Sequence, residues 1–256
     1  YSPGYFDIDL DDCGSAQISA SIQTPMEPEK LQPVKPSAAD FRAAEDSGIE
    51  TNMLAAMRAF VVKRGELKTV IAGYPWFLDW GRDTLIAARG LIAAPEFRGD
   101  VKAILRQFAQ FAEHGTIPNI IHGSTVGNRD TSDAQLWLFT AAEDLCKAEQ
   151  STEFLRTEIK DGKTLLDKLE EIAADIIAGT PNGIKTDPES GLVFSPPHFT
   201  WMDTNYPAGT PREGYPVEIQ ALWFAALRFL SGVSGTPDRW AALAEQVRTS
   251  IRTLFL

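Results

Sequence analysis

A chain of 256 residues, 44% hydrophobic and 23% charged, has room for one large globular domain, or one domain and a tail. Its formal net charge of −11 argues against a nucleic-acid partner, which needs a basic patch to meet phosphate. It also argues against an anionic membrane surface, while a neutral ligand such as a sugar stays compatible. No apolar run is long enough to span a bilayer, and the opening YSPGYFDIDLDD has neither the basic start nor the apolar core of a secretory signal. Cys13 and Cys146 lie far apart and form no metal spacing, so a reduced, cytoplasmic protein is expected. His114, His122 and His198 are not at metal-ligand spacing either, so no metal site is expected.

Taken in chain order, residues 1 to about 24 alternate weakly: Phe6, Ile8 and Leu10, then Ile18, Ala20 and Ile22. Two short strands cannot stand alone in water, so the stretch reads as the end of a β-rich region. Residues 25–37, PMEPEKLQPVKPS, read as a proline-rich linker. The expected organisation is therefore 1–37 as β tail plus linker, and 38–256 as the main domain. From 38 onward the pattern is helical, beginning with a mixed helix from about Thr51 to Lys63. Three segments are amphipathic: Gly99 to Glu113, the stretch from Leu165 to Ile177, and that from Trp240 to Leu254. Three others are apolar nearly all round, Thr84–Ala94, Ala134–Leu145 and Val217–Leu230, and such helices are expected to be buried. The link KAEQSTEFLRTEIKDG reads as holding a helical turn. Strict alternation of buried and amphipathic helices predicts an all-α, α/α toroid, an inner ring wrapped by an outer one.

That alternation gathers three long connections at one end: Ala72–Arg82, Gly115–Asp130 and Thr180–Tyr215. Loops carried on a rigid scaffold are where sites sit. The first places Trp76, Phe77 and Trp80 beside Asp79, Arg82 and Asp83. Aromatic faces can stack on a pyranose, and an Arg beside an Asp offers donors and acceptors to hydroxyls; an N-cap with a local salt bridge explains the same residues. In the second loop Asn119 and Trp137 can line a pocket. There Asp130 or Thr131 can cap the next helix, with Asp133 in its first turn, favoured by the dipole. The third loop is irregular by its Gly, Pro, Thr and Asp content, yet rich in aromatics, which argues against disorder. It holds Trp201, Asp203 and Arg212, with Glu218 just inside the following helix, where the dipole alone explains a carboxylate. Asp203 follows Trp201 and Met202, so an apolar surrounding is expected. Such a surrounding disfavours a charged carboxyl, as a general acid near neutral pH requires; a solvated loop Asp or an Asx turn is the plainer alternative.

Three segments together, AGYPWFLDWGRDTLIAARGL (72–91), TIPNIIHG with DTSDAQLWLF (116–139) and HFTWMDTNYPAGTPREGYPVEIQALWF (198–224), resemble the C-terminal amylo-α-1,6-glucosidase domain of glycogen debranching enzymes. The resemblance covers roughly residues 38–256. It implies an (α/α)6 barrel, of which the chain supplies the N-terminal part, about seven of twelve helices. It also implies a glycoside hydrolase acting by inversion, with one carboxyl protonating the leaving oxygen and another activating water about 6.5–9.5 Å away. Asp203 maps to the general acid. Arg82 and Asp83 map to the pair holding the terminal glucose hydroxyls. Trp76, Trp80, Asn119, Asp133, Trp201, Arg212 and Glu218 map to the same sugar subsite. The base is expected beyond Leu256, so activity of these residues alone is in doubt. The implied substrate is a branched α-glucan such as glycogen or a limit dextrin, with no cofactor. A glucoamylase- or trehalase-like enzyme and a non-catalytic carbohydrate-binding toroid are the alternatives.

Overall fold

The structure is a computed structural model and describes residues 48–73, 77–122, 125–204 and 209–256. The expected β tail and linker over 1–37 lie outside the described residues. The chain divides into two compact units, residues 1–53 and 54–256. Of the first only 48–53 are described, and they open α1.

The fold is mostly helical, with seven α-helices among the described residues. They are α1 (Ile49–Phe60), α2 (Gly81–Ile92), α3 (Arg98–Ala109), α4 (Ala134–Glu149), α5 (Leu165–Ala178), α6 (Val217–Val233) and α7 (Pro237–Leu254). No helix is long and apolar enough to cross a membrane among the described residues. The helices have local reasons. α3 buries Val101, Ile104, Leu105 and Phe108, one face at helical spacing, with Asp100 in its first turn and Arg106 in its last, as the dipole favours. α5 opens with a capping box: the Thr164 hydroxyl accepts from the Asp167 backbone N–H, and the Asp167 carboxylate accepts from that of Thr164. α7 starts on Pro237, whose missing N–H costs nothing in a first turn.

α2, α4 and α6 pack side by side in chain order; α3 lies against both α2 and α4, and α7 against α6. Of the three apolar helices α2, α4 and α6, α4 alone is covered nearly all round, its first exposed position being Lys147. α2 leaves Ile86 42% exposed and α6 leaves Val217 52% exposed, so the expectation of burial on every side fails for those two. The reason is in the packing: α4 has an apolar helix on each flank, whereas α2 and α6 each have one among the described residues. Leu136, Leu138 and Phe139 of α4 are fully buried, and burying each such side chain contributes about 1.5–3 kcal/mol.

Short strands interrupt the helical pattern. Val61–Val70, the end of the expected first helix included, is a hairpin, β1 (Val61–Arg64) paired antiparallel with β2 (Leu67–Val70). Its two-residue turn has Gly65 at φ +57°, a conformation that glycine adopts without strain. The link after α4 does hold a helical turn, Glu153–Arg156, followed by a small hairpin of β6 (Glu158–Lys160) and β7 (Lys163–Thr164). The third loop, expected to be irregular, carries a hairpin of β8 (Lys185–Thr186) and β9 (Val193–Phe194).

These pieces lace the three long loops together. β3 (Asp79–Trp80) in the first loop pairs with β4 (Ile120–His122) in the second, which pairs with β5 (Thr125–Val126). The Gly81 N–H donates to the Asn119 carbonyl at 3.0 Å. A Cβ at Gly81 would sit 2.6 Å from the Pro118 carbonyl oxygen, so this crossing admits only glycine without movement. The second and third loops meet where the Ser132 N–H donates to the Phe199 carbonyl at 2.7 Å and the Ser132 and Ser195 hydroxyls share a 2.8 Å bond.

Candidate functional site

The loop lacing brings the N-termini of α2 and α4 beside the third loop, and one guanidinium joins all three. Arg82, in the first turn of α2, donates from Nη1 to both carboxylate oxygens of Asp133 at 3.2 and 3.3 Å. From Nη2 it donates to Asp203 Oδ2 at 2.7 Å. The partners are 51 and 121 residues away in sequence. Asp133 is buried, Arg82 is mostly covered with its side chain 12% exposed, and the Asp203 side chain is 31% exposed. Asp203 therefore does not sit in the apolar surrounding expected of it: one oxygen is held by a cation and the rest of the carboxyl reaches a cleft. Sequence neighbours Trp201 and Met202 do not enclose it, because Trp201 turns outward and is 60% exposed.

Asp133 occupies the N-cap position of α4 yet makes no capping bond with its side chain. Thr131 caps instead, its hydroxyl accepting from the Ala134 N–H at 3.3 Å. The same hydroxyl donates to Asp133 Oδ1 at 2.7 Å. Both Asp133 oxygens are thus freed for Arg82. Burial pushes the Asp133 carboxyl above its usual range, opposed by the Arg82 charge and the Thr131 hydrogen bond, with the Asp203 charge a smaller push upward.

Beside Asp203 lies a cleft of about 390 Å³ lined by Trp80, Asn119, Asn128, Asp130, Pro197, His198, Phe199, Asp203 and Thr204. Asn119 is 5% exposed, and its Oδ1 has no hydrogen-bond partner among the described residues. His198 holds a left-handed backbone at φ +62°, a sparsely populated region for a non-glycine residue. An aromatic wall, an amide and a carboxyl around a small polar cleft can present one stacking face and several hydrogen-bonding groups to a hydroxylated ligand.

The other candidates fall around this centre. Asp83 is exposed in the first turn of α2. Arg212 pairs through Nη2 with both oxygens of Glu218, an exchange within one loop-to-helix junction, and its Nη1 lies 4.0 Å from Met202 Sδ. Arg212 and Glu218 therefore reach the third loop's Trp-Met-Asp segment through Met202 and are not bonded to Asp203. Trp76 lies outside the described residues. Asp79, read beside Arg82 in the sequence, is ion-paired with Arg64 at 3.0 Å, and burial raises its carboxyl above the usual range. Sequence reasoning passed over Asn128, Asp130, His198 and Thr204 as cleft residues, and read Thr131 only as a cap. The Thr-x-Asp spacing before an apolar helix was the available signal for Thr131; His198 had none.

Residues 55–256 match a family model described as amylo-alpha-1,6-glucosidase. The chain belongs to this family. It is also similar to the glycogen debranching enzyme of Saccharomyces cerevisiae, at 25% identity over 236 aligned residues covering 70% of this chain and 15% of that protein. The chain thus spans about 15% of the length of that curated relative. Every candidate from Trp76 to Glu218 lies inside the range matched by the amylo-alpha-1,6-glucosidase family model, as do Thr131 and His198.

Proposed function

We propose that this chain forms part of an (α/α)6 glycosidase barrel that hydrolyses α-1,6-linked glucose stubs on a glycogen-like polymer. Family membership supports glycoside hydrolysis, and the side-by-side packing of α2, α4 and α6 with α3 and α7 outside supports the barrel. The observation that carries the reading is the placement of Asp203, with one oxygen on Arg82 and its carboxyl at a cleft lined by Trp80 and Asn119. A branched α-glucan is neutral, so a chain of net charge −11 does not repel it. A free, buried thiol at Cys146 suits a cytoplasmic setting for such a substrate.

In this reading Asp203 is the general acid. Arg82 occupies Oδ2, which leaves Oδ1 to carry the proton to the glycosidic oxygen. The C1–O bond breaks as that proton moves, the leaving sugar departs as an alcohol, and water adds at C1 from the opposite face. The water's proton goes to a second carboxylate, which is not assigned among these residues. Arg82 and Asp83 at the N-terminus of α2, with Trp80 and Asn119, orient the terminal glucose. Trp201, Arg212 and Glu218 flank it.

The test is product analysis with the full-length protein. Glucose should appear from a limit dextrin bearing α-1,6-glucosyl stubs and not from linear α-1,4-glucan or trehalose. Release from trehalose or linear glucan, with the stubbed dextrin inert, removes the linkage assignment; no release from any of them removes the hydrolase.

A further inference from the structure

Asp133 is too enclosed to meet a sugar. Its side chain is 3% exposed, and both oxygens are already engaged by Arg82 Nη1, Oδ1 by Thr131 as well. It is absent from the lining of the cleft that Asp203 faces. A helix N-cap aspartate ordinarily accepts from the backbone of its own first turn, yet here that bond is made by Thr131 and the carboxylate is turned to Arg82. The guanidinium is planar and its donors form a fixed fork. Holding Nη1 therefore sets the direction of Nη2, and Nη2 is the group on Asp203 Oδ2.

We propose that Asp133 is a positioning residue for the acid: the chain Thr131–Asp133–Arg82 aims Asp203 so that Oδ1, not Oδ2, faces the bond to be broken. The assignment rests on Asp203 being the general acid. It differs from a sugar-binding role for Asp133, because a positioning residue acts on proton delivery and not on ground-state binding. A misaimed acid slows departure of leaving groups that need a proton and spares those that do not. Charge also enters: with Asp133 ionised, the Arg82 cation is offset before it reaches Asp203.

The experiment compares two substrates on the full-length protein: the α-1,6-stubbed limit dextrin, whose leaving alcohol needs a proton, and α-glucosyl fluoride, whose fluoride leaves unaided. Asp133→Asn keeps the side-chain volume and one acceptor for Nη1. It should lower kcat on the dextrin by about 10–100-fold, leave KM within about twofold, and lower turnover of the fluoride by less than about threefold. Thr131→Val, which removes the hydroxyl that holds Asp133 Oδ1, should show the same contrast at smaller size and serves if Asp133→Asn does not fold. Equal losses on both substrates, or a rise in KM with kcat retained, overturns the positioning role. Asp203→Asn separates the two levels. If it shows the leaving-group contrast and Asp133→Asn does not, positioning fails alone. If Asp203→Asn itself strikes both substrates equally, the acid assignment fails and the positioning role with it.

Discussion

Two arginine–carboxylate pairs stand at the N-termini of the neighbouring helices α4 and α6, and they are built differently. At α4, Arg82 and Asp133 come from the starts of different helices, Asp133 is buried and Arg82 mostly covered, and the guanidinium is shared with Asp203. At α6, Arg212 and Glu218 are six residues apart, both about a quarter exposed, and form an ion pair with each other, with Met202 Sδ beside the guanidinium. Sequence position is nearly the same in the two cases, a carboxylate at the start of an apolar helix. The difference lies in what the carboxylate has to hold. Glu218 answers to the dipole and a local partner, whereas Asp133 links three segments and is desolvated for it. A buried ion pair is expensive to break because the survivor has no water to turn to; a half-exposed pair is screened and contributes little.

That contrast can be broken from either side. The largest effect should come from Arg82→Ala, which leaves Asp133 buried without its cation and should cost about 3–5 kcal/mol of stability, read by thermal or urea unfolding. A loss under about 1 kcal/mol would make the α4 pair no different in kind from the α6 pair.

Asp133→Asn is milder, since the amide oxygen still accepts from Nη1, and its effect should depend on pH. The folded Asp133 carboxyl titrates above its ordinary value of 3.8, so between that value and the folded one the folded state holds the proton more tightly than the unfolded. Stability from this group is therefore greatest at low pH and is lost as pH rises through the window. The wild-type advantage over Asp133→Asn should shrink as pH is raised from about 4 through the folded value, followed by unfolding curves in a pH series. An advantage that grows with pH would mean that the Arg82 attraction outweighs burial. Smallest of all, Glu218→Gln should change stability by no more than about 1 kcal/mol, and a loss of several kcal/mol there would erase the distinction.

Much of the helical frame was legible because it rests on periodicity. α3, α5 and α7 declare one apolar face each, and α4 declares burial on all sides. α2 and α6 carry equally apolar sequences but are half covered, since a pattern records what a helix can bury and not which neighbours arrive. The hairpin Val61–Val70 was hidden because four-residue strands give too few alternations to compete with a helical reading of Val61–Lys63. At the site, the residue types were legible and the wiring was not. Asp133 looked like a dipole residue and Asp203 like an acid in an apolar loop; what joins them is an arginine 51 and 121 residues away. Asp79 shows the converse, since its proximity to Arg82 in sequence suggested a pair that the strand geometry gives to Arg64.

The central claim is that Asp203 delivers the proton. The direct measurement is the steady-state rate of glucose release from α-1,6-stubbed limit dextrin by the full-length protein and by its Asp203→Asn variant, with dextrin binding measured alongside. A general acid predicts a fall in kcat on the order of 10²–10⁴-fold with binding retained. An unchanged kcat in a variant that still binds dextrin would contradict the account and leave the cleft as a carbohydrate-binding site only.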